Sequence, residues 1–343
     1  MKLLVVTQAL DLDEPVLSTY HDWVAALAGQ VNQIEAICLK EGRHTLPANV
    51  HVHTLGKETG RKSPFLYALR FLHLSWKLRR EYDAVFVHMN QEYILISGLL
   101  WKLLGKRVYL WRNHYAGSWL TDVAALFCTK VFCTSKHSYT AKYKKTVLMP
   151  VGVDTDRFSQ NTSVPRVPRS ILFFARIAPS KRPDMFIEAL GLLKKQEIPF
   201  VASIYGSPLP SNNSYYESLK ARVQELELKD VVTFYPGVPN SEAPLVYAAH
   251  EINVNCSPSG MFDKMLFEAA ASGCIVLAES EDFKDAAGEQ FHHTNDLELA
   301  ERLKDMLAVT RDERTRITAH MASLARSESL ASLCDRLSSE LYS

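Results

Sequence analysis

Short runs of β-branched and aromatic residues alternate with longer stretches of helical periodicity along the chain. The short runs are largely apolar, which is typical of strands buried between two layers of helices. This alternation predicts parallel sheets with right-handed crossovers and with functional loops at the carboxyl ends of the strands. The predicted strands are 3–7, 34–39, 50–55, 84–88, 107–111, 130–134, 146–149, 171–175, 200–205, 231–235, 252–255 and 274–279.

A polar segment with three prolines, 150–169, divides this pattern in two and is typical of a linker between domains. We therefore predict an α/β fold class with two Rossmann-like, doubly wound parallel-sheet domains facing each other across a cleft. The predicted boundaries are 1–155 for the first domain, 156–168 for the linker and 169–322 for the second domain. Residues 323–343 are predicted as one amphipathic helix that either stays with the second domain or crosses back to the first.

The net charge of +1 conceals a difference between the two halves of the chain. Residues 1–168 hold 21 Lys and Arg against 13 Asp and Glu, which leaves 18 against 25 for the remainder. The basic half, with cations interleaved among apolar residues at 61–80, fits peripheral contact with an anionic membrane or binding of a phosphorylated acceptor. An unevenly solvated surface and a helix that covers the sheet explain the same pattern. We predict no nucleic-acid partner.

The cysteines and the apolar runs predict a cytoplasmic protein. Six cysteines are scattered through apolar stretches without a CxxC pair, as expected for small core residues in a reducing compartment. The apolar run that follows Met1 and Lys2 is too short for a signal peptide, and the stretch 94–104 is far shorter than the roughly 20 residues that cross a bilayer. Any membrane contact is then peripheral, at the inner face of the cell membrane.

Two cations stand in the loop after the first strand of the second half. That strand leads to Arg176, Lys181 follows five residues later, and a helix opens with Pro183. Backbone N–H groups and the helix dipole favour an anion at such a loop, so Arg176 and Lys181 are candidates for clamping a diphosphate. Ordinary surface charge is the alternative explanation.

A second segment of strand, small-residue loop and helix runs from Asn255 to Gly273. Its loop amides can face a ligand, and Glu268, about a turn and a half into the helix, can accept both hydroxyls of a ribose. The alternative is that Asp263 caps the helix and Glu268 is a solvated residue on it.

Together these segments resemble the retaining glycosyltransferases of family 4, also described as glycosyl transferases group 1, which have the GT-B architecture. Residues 150–158 are similar to the G-[VI]-D-x-x-x-F motif near the family's linker. Residues 237–239, residues 247–249 and Ser257 are similar to its glycine loop, its Y-x-x-A segment and its serine.

The resemblance implies a role for several residues of the second half. Arg176 and Lys181 are expected to bind the donor diphosphate. Glu268, at the place of the second Glu in the family's E-x(7)-E motif, is expected to bind the nucleotide ribose. We also place Gly206 and Ser257 in the donor site.

The chain departs from the family pattern at two places. Gly260 stands where the first Glu of the motif contacts the donor sugar. Residues 260–264 resemble the G-x-F-D-K loop of some subgroups, so Met261 and Phe262 join the donor site and Asp263 or Lys264 is expected to contact the sugar instead. The usual glycine-rich turn after the first strand is also missing. Residues 13–23 resemble the D-x-P-V-L-x-x-x-H-x-W opening of a bacterial branch, which puts His21 in the cleft or, alternatively, on a helix face.

Polar residues also follow two predicted strands of the first half. His114 matches the family position of a histidine near the reacting sugar and acceptor, and His88 and Glu92 are further candidates for the acceptor side. We predict no metal site, because the paired histidines His51/His53 and His292/His293 have no carboxylate or cysteine at ligand spacing.

The resemblance implies a metal-independent, retaining transferase of hexosyl or related groups that needs no bound cofactor. Its donor is expected to be a UDP- or GDP-sugar, and its acceptor a glycan, a lipid-linked molecule or another hydroxyl compound in the synthesis of cell-surface polysaccharide or glycoconjugate. Two alternatives remain open. One is a sugar-nucleotide 2-epimerase on the same fold, and the other is a protein that binds sugar nucleotides without catalysis.

Overall fold

The computed structural model describes residues 1–13, 18–60, 63–159, 163–260 and 264–342. Over these ranges the chain divides into two compact units. The first comprises Met1–Gly152 and Leu330–Ser343, and the second comprises Val153–Ser329. Each unit holds one sheet of parallel strands with helices packed on it, so the predicted α/β class with two doubly wound sheets is confirmed.

All of the predicted strands are present, with small shifts at their ends. In the described ranges the strands are β1 (Lys2–Leu10), β2 (Gln33–Glu41), β3 (Val50–Thr54), β4 (Ala84–His88), β5 (Arg107–Trp111), β6 (Lys130–Cys133), β7 (Thr146–Leu148), β8 (Ser170–Phe174), β9 (Val201–Tyr205), β10 (Val232–Tyr235), β11 (Ile252–Asn255) and β12 (Ile275–Ala278). The α-helices of these ranges are α1 (Ser18–Ala28), α2 (Pro64–Lys77), α3 (Glu92–Leu103), α4 (Trp119–Phe127), α5 (Pro183–Lys195), α6 (Asn213–Glu225), α7 (Ala243–Ala248), α8 (Lys264–Ala271), α9 (Glu281–Ala287), α10 (Asp296–Ala308), α11 (Arg311–Ser327) and α12 (Leu330–Tyr342).

The first unit is a sheet between two apolar layers. Its strand order is β3-β2-β1-β4-β5-β6-β7. Along β1 the side chains alternate: Leu3 and Val5 belong to the core that also contains residues of α1 and α12, whereas Leu4 and Val6 belong to the core beneath α2, α3 and α4. Burial on both faces explains why residues 3–6 of β1 are an uninterrupted apolar run in the sequence.

The second unit has the strand order β10-β9-β8-β11-β12. Its first strand, β8, therefore lies inside the sheet, with β9 on one side and β11 on the other. All of these pairings are parallel. The order of the strands along the sheet thus reverses between β8 and β11, and in the first unit it reverses between β1 and β4.

The end of the chain differs from the single predicted helix at 323–343. The structure ends α11 at Ser327 and begins α12 at Leu330. The carbonyl oxygen of Glu328 accepts a hydrogen bond from the N–H of Val153, and Ser329 forms a β-bridge with Val153. This pairing takes the backbone out of the helical hydrogen-bond pattern, and α12 then packs in the core of the first unit.

The structure also bears on two expectations from the composition, one about the cysteines and one about membrane-spanning helices. All six cysteines are buried and free, as predicted for small core residues. No helix in the described part of the chain has the length and apolar character that crossing a membrane requires.

Candidate functional site

The strand order of the second unit brings several of the predicted residues together at the carboxyl end of its sheet. Ligands of doubly wound sheets bind outside the carboxyl ends of the strands, where the strand order reverses. The loop after β8 carries Arg176 and Lys181, and the loop after β11 carries Ser257. Because β8 and β11 are neighbours on the two sides of the reversal, these three residues lie at the place where a ligand is expected.

Lys181 contacts the neighbouring loop across this edge. It ends a 3₁₀ turn, Pro179–Lys181, two residues before α5 begins. Its partly buried ammonium donates a hydrogen bond of 3.0 Å to the Ser257 hydroxyl. Arg176 is exposed and makes no hydrogen bond or ion pair with another residue of the described ranges. One cation is therefore anchored beside the N-terminus of α5 while the other faces solvent.

An ion pair that sequence analysis missed holds the same loop. Arg182 Nη1 donates a hydrogen bond of 2.6 Å to Glu279 Oε1, just past the end of β12. Burial raises the pKa of Glu279 although Arg182 acts to lower it. Glu279 Oε2 is buried and has no hydrogen-bond partner among the described residues. The sequence did contain one signal for this pair. Glu279 is a carboxylate that directly follows a buried strand, at the same end of the sheet as the cationic loop.

Glu268 lies on α8 with its side chain buried. Lys264, one helical turn earlier, places its ammonium 3.4 Å from Glu268 Oε1. This burial removes the alternative of a solvated helix residue. Gly260 has a φ of 95°, in the left-handed region that glycine adopts without a steric penalty. Met261, Phe262 and Asp263 lie outside the described residues, so the expectation for Asp263 stays a prediction.

Gly206 follows β9 and lies against the end of β8. A Cβ atom built on Gly206 would be 1.9 Å from the carbonyl oxygen of Ala175, a distance that no side chain tolerates. The close approach of the two strand ends therefore requires glycine here. Contact of Gly206 with a donor stays a prediction.

In the first unit, His21 and His88 are both buried. His21 Nε2 accepts a hydrogen bond of 3.1 Å from the N–H of Thr45, and His21 Nδ1 lies 3.3 Å from the Asp22 carboxylate. His88 stacks on Tyr20 with ring centroids 3.8 Å apart, and burial lowers the pKa of His88 to about 3. Both side chains thus contact residues of the first unit, and Glu92 is exposed at the start of α3.

His114 lines an open pocket after β5, together with Met89, Arg112 and Ser118 among other residues. His114 Nδ1 accepts a hydrogen bond of 2.9 Å from the N–H of Ala116. His114 Nδ1 also lies 3.3 Å from the carbonyl oxygen of Ala116. Nε2 makes no hydrogen bond with a residue of the described ranges, so it is available to form a hydrogen bond with a ligand.

Arg112 and Met89 line this pocket, and contacts or backbone geometry restrict the conformation of both residues. The Arg112 guanidinium donates to the carbonyl oxygens of Met89 and Ala116, at 3.3 and 3.1 Å. Its Nε is buried without a hydrogen-bond partner in the described part of the chain. Met89 has a φ of 66°, a conformation that is uncommon for a residue with a side chain. Strained backbone and an unpaired polar atom are both features that concentrate at binding sites.

His51 and His53 have a carboxylate partner that their spacing in the sequence did not reveal. Glu35 lies on the neighbouring strand β2, where its register partner on β3 is His51. Its two oxygens are 2.9 Å from His51 Nδ1 and 2.6 Å from His53 Nε2. Burial acts to raise the pKa of Glu35, but the hydrogen bonds from the two histidines outweigh burial and lower it. The three residues form a hydrogen-bonded cluster on the strand pair β2–β3 at the edge of the sheet.

A family model matches much of the second unit. Residues 154–317 match the family described as Glycosyl transferases group 1. The matched residues cover most of the second unit, and this similarity supports the predicted resemblance to glycosyl transferases group 1.

Curated proteins with related sequences are glycosyltransferases by name. The D-inositol 3-phosphate glycosyltransferase of Kineococcus radiotolerans is 30% identical over 154 residues, covering 41% of this chain and 35% of that protein. The enzyme of the same name from Streptomyces scabiei is 30% identical over 155 residues, with the same coverage. The match thus spans about a third of the length of these relatives. Together with the family domain, these names support a transferase.

Solved structures resemble the chain over its whole length. Anabaena HepE in complex with UDP has a TM-score of 0.79 at 16% identity and is covered completely, as is this chain. A glycosyltransferase from Rickettsia africae has a TM-score of 0.75 at 15% identity, covering 99% of this chain and 98% of its own. Likeness at such identities shows the fold, and it confirms the predicted GT-B architecture.

Proposed function

We propose that this chain is a retaining glycosyltransferase of family 4 that uses a nucleoside-diphosphate sugar as donor. The observation that carries the proposal is that Arg176 and Lys181 lie at the reversal point of the second sheet, while Glu268 is buried on α8, the next helix after β11. The two cations suit a diphosphate, and the buried carboxylate suits the paired hydroxyls of a ribose. HepE has also been solved with UDP-glucose, at a TM-score of 0.77, which supports a UDP-sugar as the first donor to test.

In the proposed reaction, the bond between the sugar C1 and the diphosphate oxygen breaks, and the acceptor oxygen bonds to C1 on the same face. The acceptor proton passes to the departing diphosphate. Negative charge therefore grows on the diphosphate as the bond breaks, and Arg176 and Lys181 stabilise the transition state more than the ground state. This scheme needs neither a protein nucleophile nor a metal ion.

We assign the first unit to the acceptor. His114 presents Nε2 at an open pocket, and such a ring nitrogen suits a hydroxyl of the reacting sugar or of the acceptor. His21, His88 and Glu92 remain candidates for the acceptor side. The burial of both histidines supports a role in shaping that unit instead of direct proton transfer. The proposed acceptor is a glycan, a lipid-linked molecule or another hydroxyl compound of cell-surface polysaccharide or glycoconjugate synthesis.

A ligand-induced shift of the unfolding temperature tests the donor site. We expect UDP, or GDP if the base differs, to stabilise the wild type and not Arg176→Ala/Lys181→Ala. The matched control is Lys194→Ala/Lys195→Ala, which removes two exposed cations from the far end of α5. Failure of UDP, GDP and ADP to stabilise the wild type would overturn the proposed donor site.

Gly260 motivates a second candidate, a protein that binds a sugar nucleotide without transferring the sugar. The carboxylate that contacts the donor sugar in the family pattern is absent at this position. Incubation with radiolabelled UDP-sugars and a membrane or glycan extract distinguishes the two candidates. Donor binding without either a labelled product or release of UDP would favour the non-catalytic protein.

A further inference from the structure

Helix α2 is apolar on two sides, and one of them does not face the sheet. Phe71 is buried in the core of the first unit. Phe65, Leu69, Leu72 and Trp76 recur every three or four residues on another side, and they are 39 to 71% exposed. We name these four residues the α2 stripe. Covering the sheet accounts for the first side only, so the exposed side needs its own explanation.

The apolar surface continues onto the two neighbouring helices. α3 packs between α2 and α4 on the same face of the sheet. Ile96, Leu99 and Leu103 follow one side of α3, and Trp119 and Leu126 lie on α4; all five are 36 to 77% exposed. Isolated exposed apolar residues are normal on the surface of a soluble protein. Here, by contrast, large apolar side chains are exposed on three adjacent helices.

Cations border these apolar side chains. Lys77 and Arg80 are exposed at the end of α2, and Arg79 lies over the Trp76 ring, 4.2 Å from its centroid. Lys102 is exposed on α3. The segment 57–106 contains nine Lys and Arg against four Asp and Glu. Apolar and aromatic side chains flanked by cations are the combination that binds the headgroup region of an anionic bilayer.

We propose that the α2 stripe, with its continuation on α3 and α4, binds an anionic lipid surface. A second copy of the chain is a poorer occupant, because a two-fold contact through this face would place its basic residues against one another. The lipid surface instead offers both apolar volume and negative charge. This face of the first unit contains none of the residues of the proposed donor site.

The position of α4 extends the proposal to the class of acceptor, and this step rests on the proposed function. Ser118 lines the His114 pocket, and Trp119 begins α4 as the next residue. The apolar surface therefore reaches the border of that pocket. A protein docked on this face would present the pocket at the level of the lipid headgroups, which favours an acceptor anchored in the membrane by a lipid.

Co-sedimentation with vesicles tests the docking. We expect the wild type to bind phosphatidylcholine vesicles containing phosphatidylglycerol at least about tenfold better than pure phosphatidylcholine, and to lose this binding at about 0.5 M salt. Leu69→Gln/Trp76→Gln should reduce binding about tenfold or more. Val167→Gln/Leu297→Gln, which removes exposed apolar side chains from the second unit, should leave it unchanged. Lys77→Gln/Arg80→Gln should weaken binding to the anionic vesicles only.

Three outcomes would overturn the proposal: no binding to either vesicle, equal binding of wild type and Leu69→Gln/Trp76→Gln, or a concentration-dependent dimer that this variant abolishes. Far-UV circular dichroism and the unfolding temperature without ligand, measured on the same preparations, show that each variant is folded. If UDP fails to stabilise the wild type while anionic vesicles bind it, the proposed donor site fails and the docking surface stands.

Discussion

The Lys181 ammonium and the Ser257 hydroxyl join two loops of the second sheet through one hydrogen bond of 3.0 Å. A lysine side chain loses up to about 2 kcal/mol of conformational freedom when it is fixed, and here part of that loss occurs before any ligand arrives. The serine thus prepares the cation for an anion at the reversal point. This relationship also explains why a serine follows β11 in a loop of small residues.

Removing the Ser257 hydroxyl should therefore weaken nucleotide binding without unfolding the unit. We expect Ser257→Ala to raise the UDP dissociation constant about threefold to tenfold, as loss of one hydrogen bond predicts. Ser257→Thr keeps the hydroxyl and should bind nearly as the wild type does. Calorimetric titration measures both constants, and an unchanged constant for the alanine variant would contradict the role of the contact.

Arg182→Ala should destabilise the second unit by about 1 to 2 kcal/mol, because it leaves the Glu279 carboxylate without its cation. The pKa of Glu279 is already raised by burial, so its protonation at lower pH should relieve part of this loss. The destabilisation is therefore expected to be smaller near pH 5 than near pH 8. Glu279→Gln, combined with Arg182→Ala in a double-mutant cycle, should show coupling; simple additivity in chemical denaturation would refute the pairing.

Two glycines of the second unit should respond differently to alanine. Gly206→Ala places Cβ 1.9 Å from the Ala175 oxygen and should destabilise by about 2 kcal/mol or more, or prevent soluble expression. Gly237→Ala meets its nearest atoms at 3.5 Å and should be nearly neutral. Comparing the thermal unfolding of the two variants tests the close approach of β8 and β9, and similar stabilities would contradict it.

His88 should make the first unit sensitive to acid. Burial lowers its pKa from 6.5 to about 3, so below pH 6.5 the unfolded chain binds a proton that the folded chain does not. The corresponding stability is present above pH 6.5 and is lost as the pH falls toward 3. We expect His88→Phe, which can still stack on Tyr20, to weaken the pH dependence of the denaturation midpoint. The exposed His137 provides the control, and equal pH dependence of both phenylalanine variants would contradict the assignment.

His114→Ala should lower sugar transfer about tenfold to a hundredfold, since a hydrogen-bonding group beside the reacting atoms would be lost. The UDP dissociation constant should not change, because His114 belongs to the first unit. His137→Ala is again the matched control. Steady-state kinetics with a radiolabelled donor separate the two effects, and full activity of His114→Ala would exclude the proposed role.

The sheets were predictable because strands that are buried on both faces are short, largely apolar runs in the sequence. Residues 3–6 of β1 are one example, since they alternate between two cores and all four are apolar. The cationic loop was also predictable, because a strand end, two cations and a helix start follow one another in sequence. These features need no knowledge of which segments become neighbours.

Pairings between distant segments were not predictable in this way. Arg182 and Glu279 are far apart in sequence and meet only because the ends of their elements share one sheet edge. His21 and His88 have the sequence positions of site residues, but their burial depends on the packing around Tyr20 and Thr45. The end of α11 likewise depends on Val153, more than 170 residues earlier.

The placement of α12 has a consequence for how the protein forms during synthesis. Leu333, Leu337 and Leu341 complete the core of the unit that contains β1. The first unit, whose sheet is translated first, can therefore complete its core only after these leucines leave the ribosome. All residues of the second unit, Val153–Ser329, leave the ribosome before them. The order of completion during translation is thus the reverse of the order of the sheets along the gene.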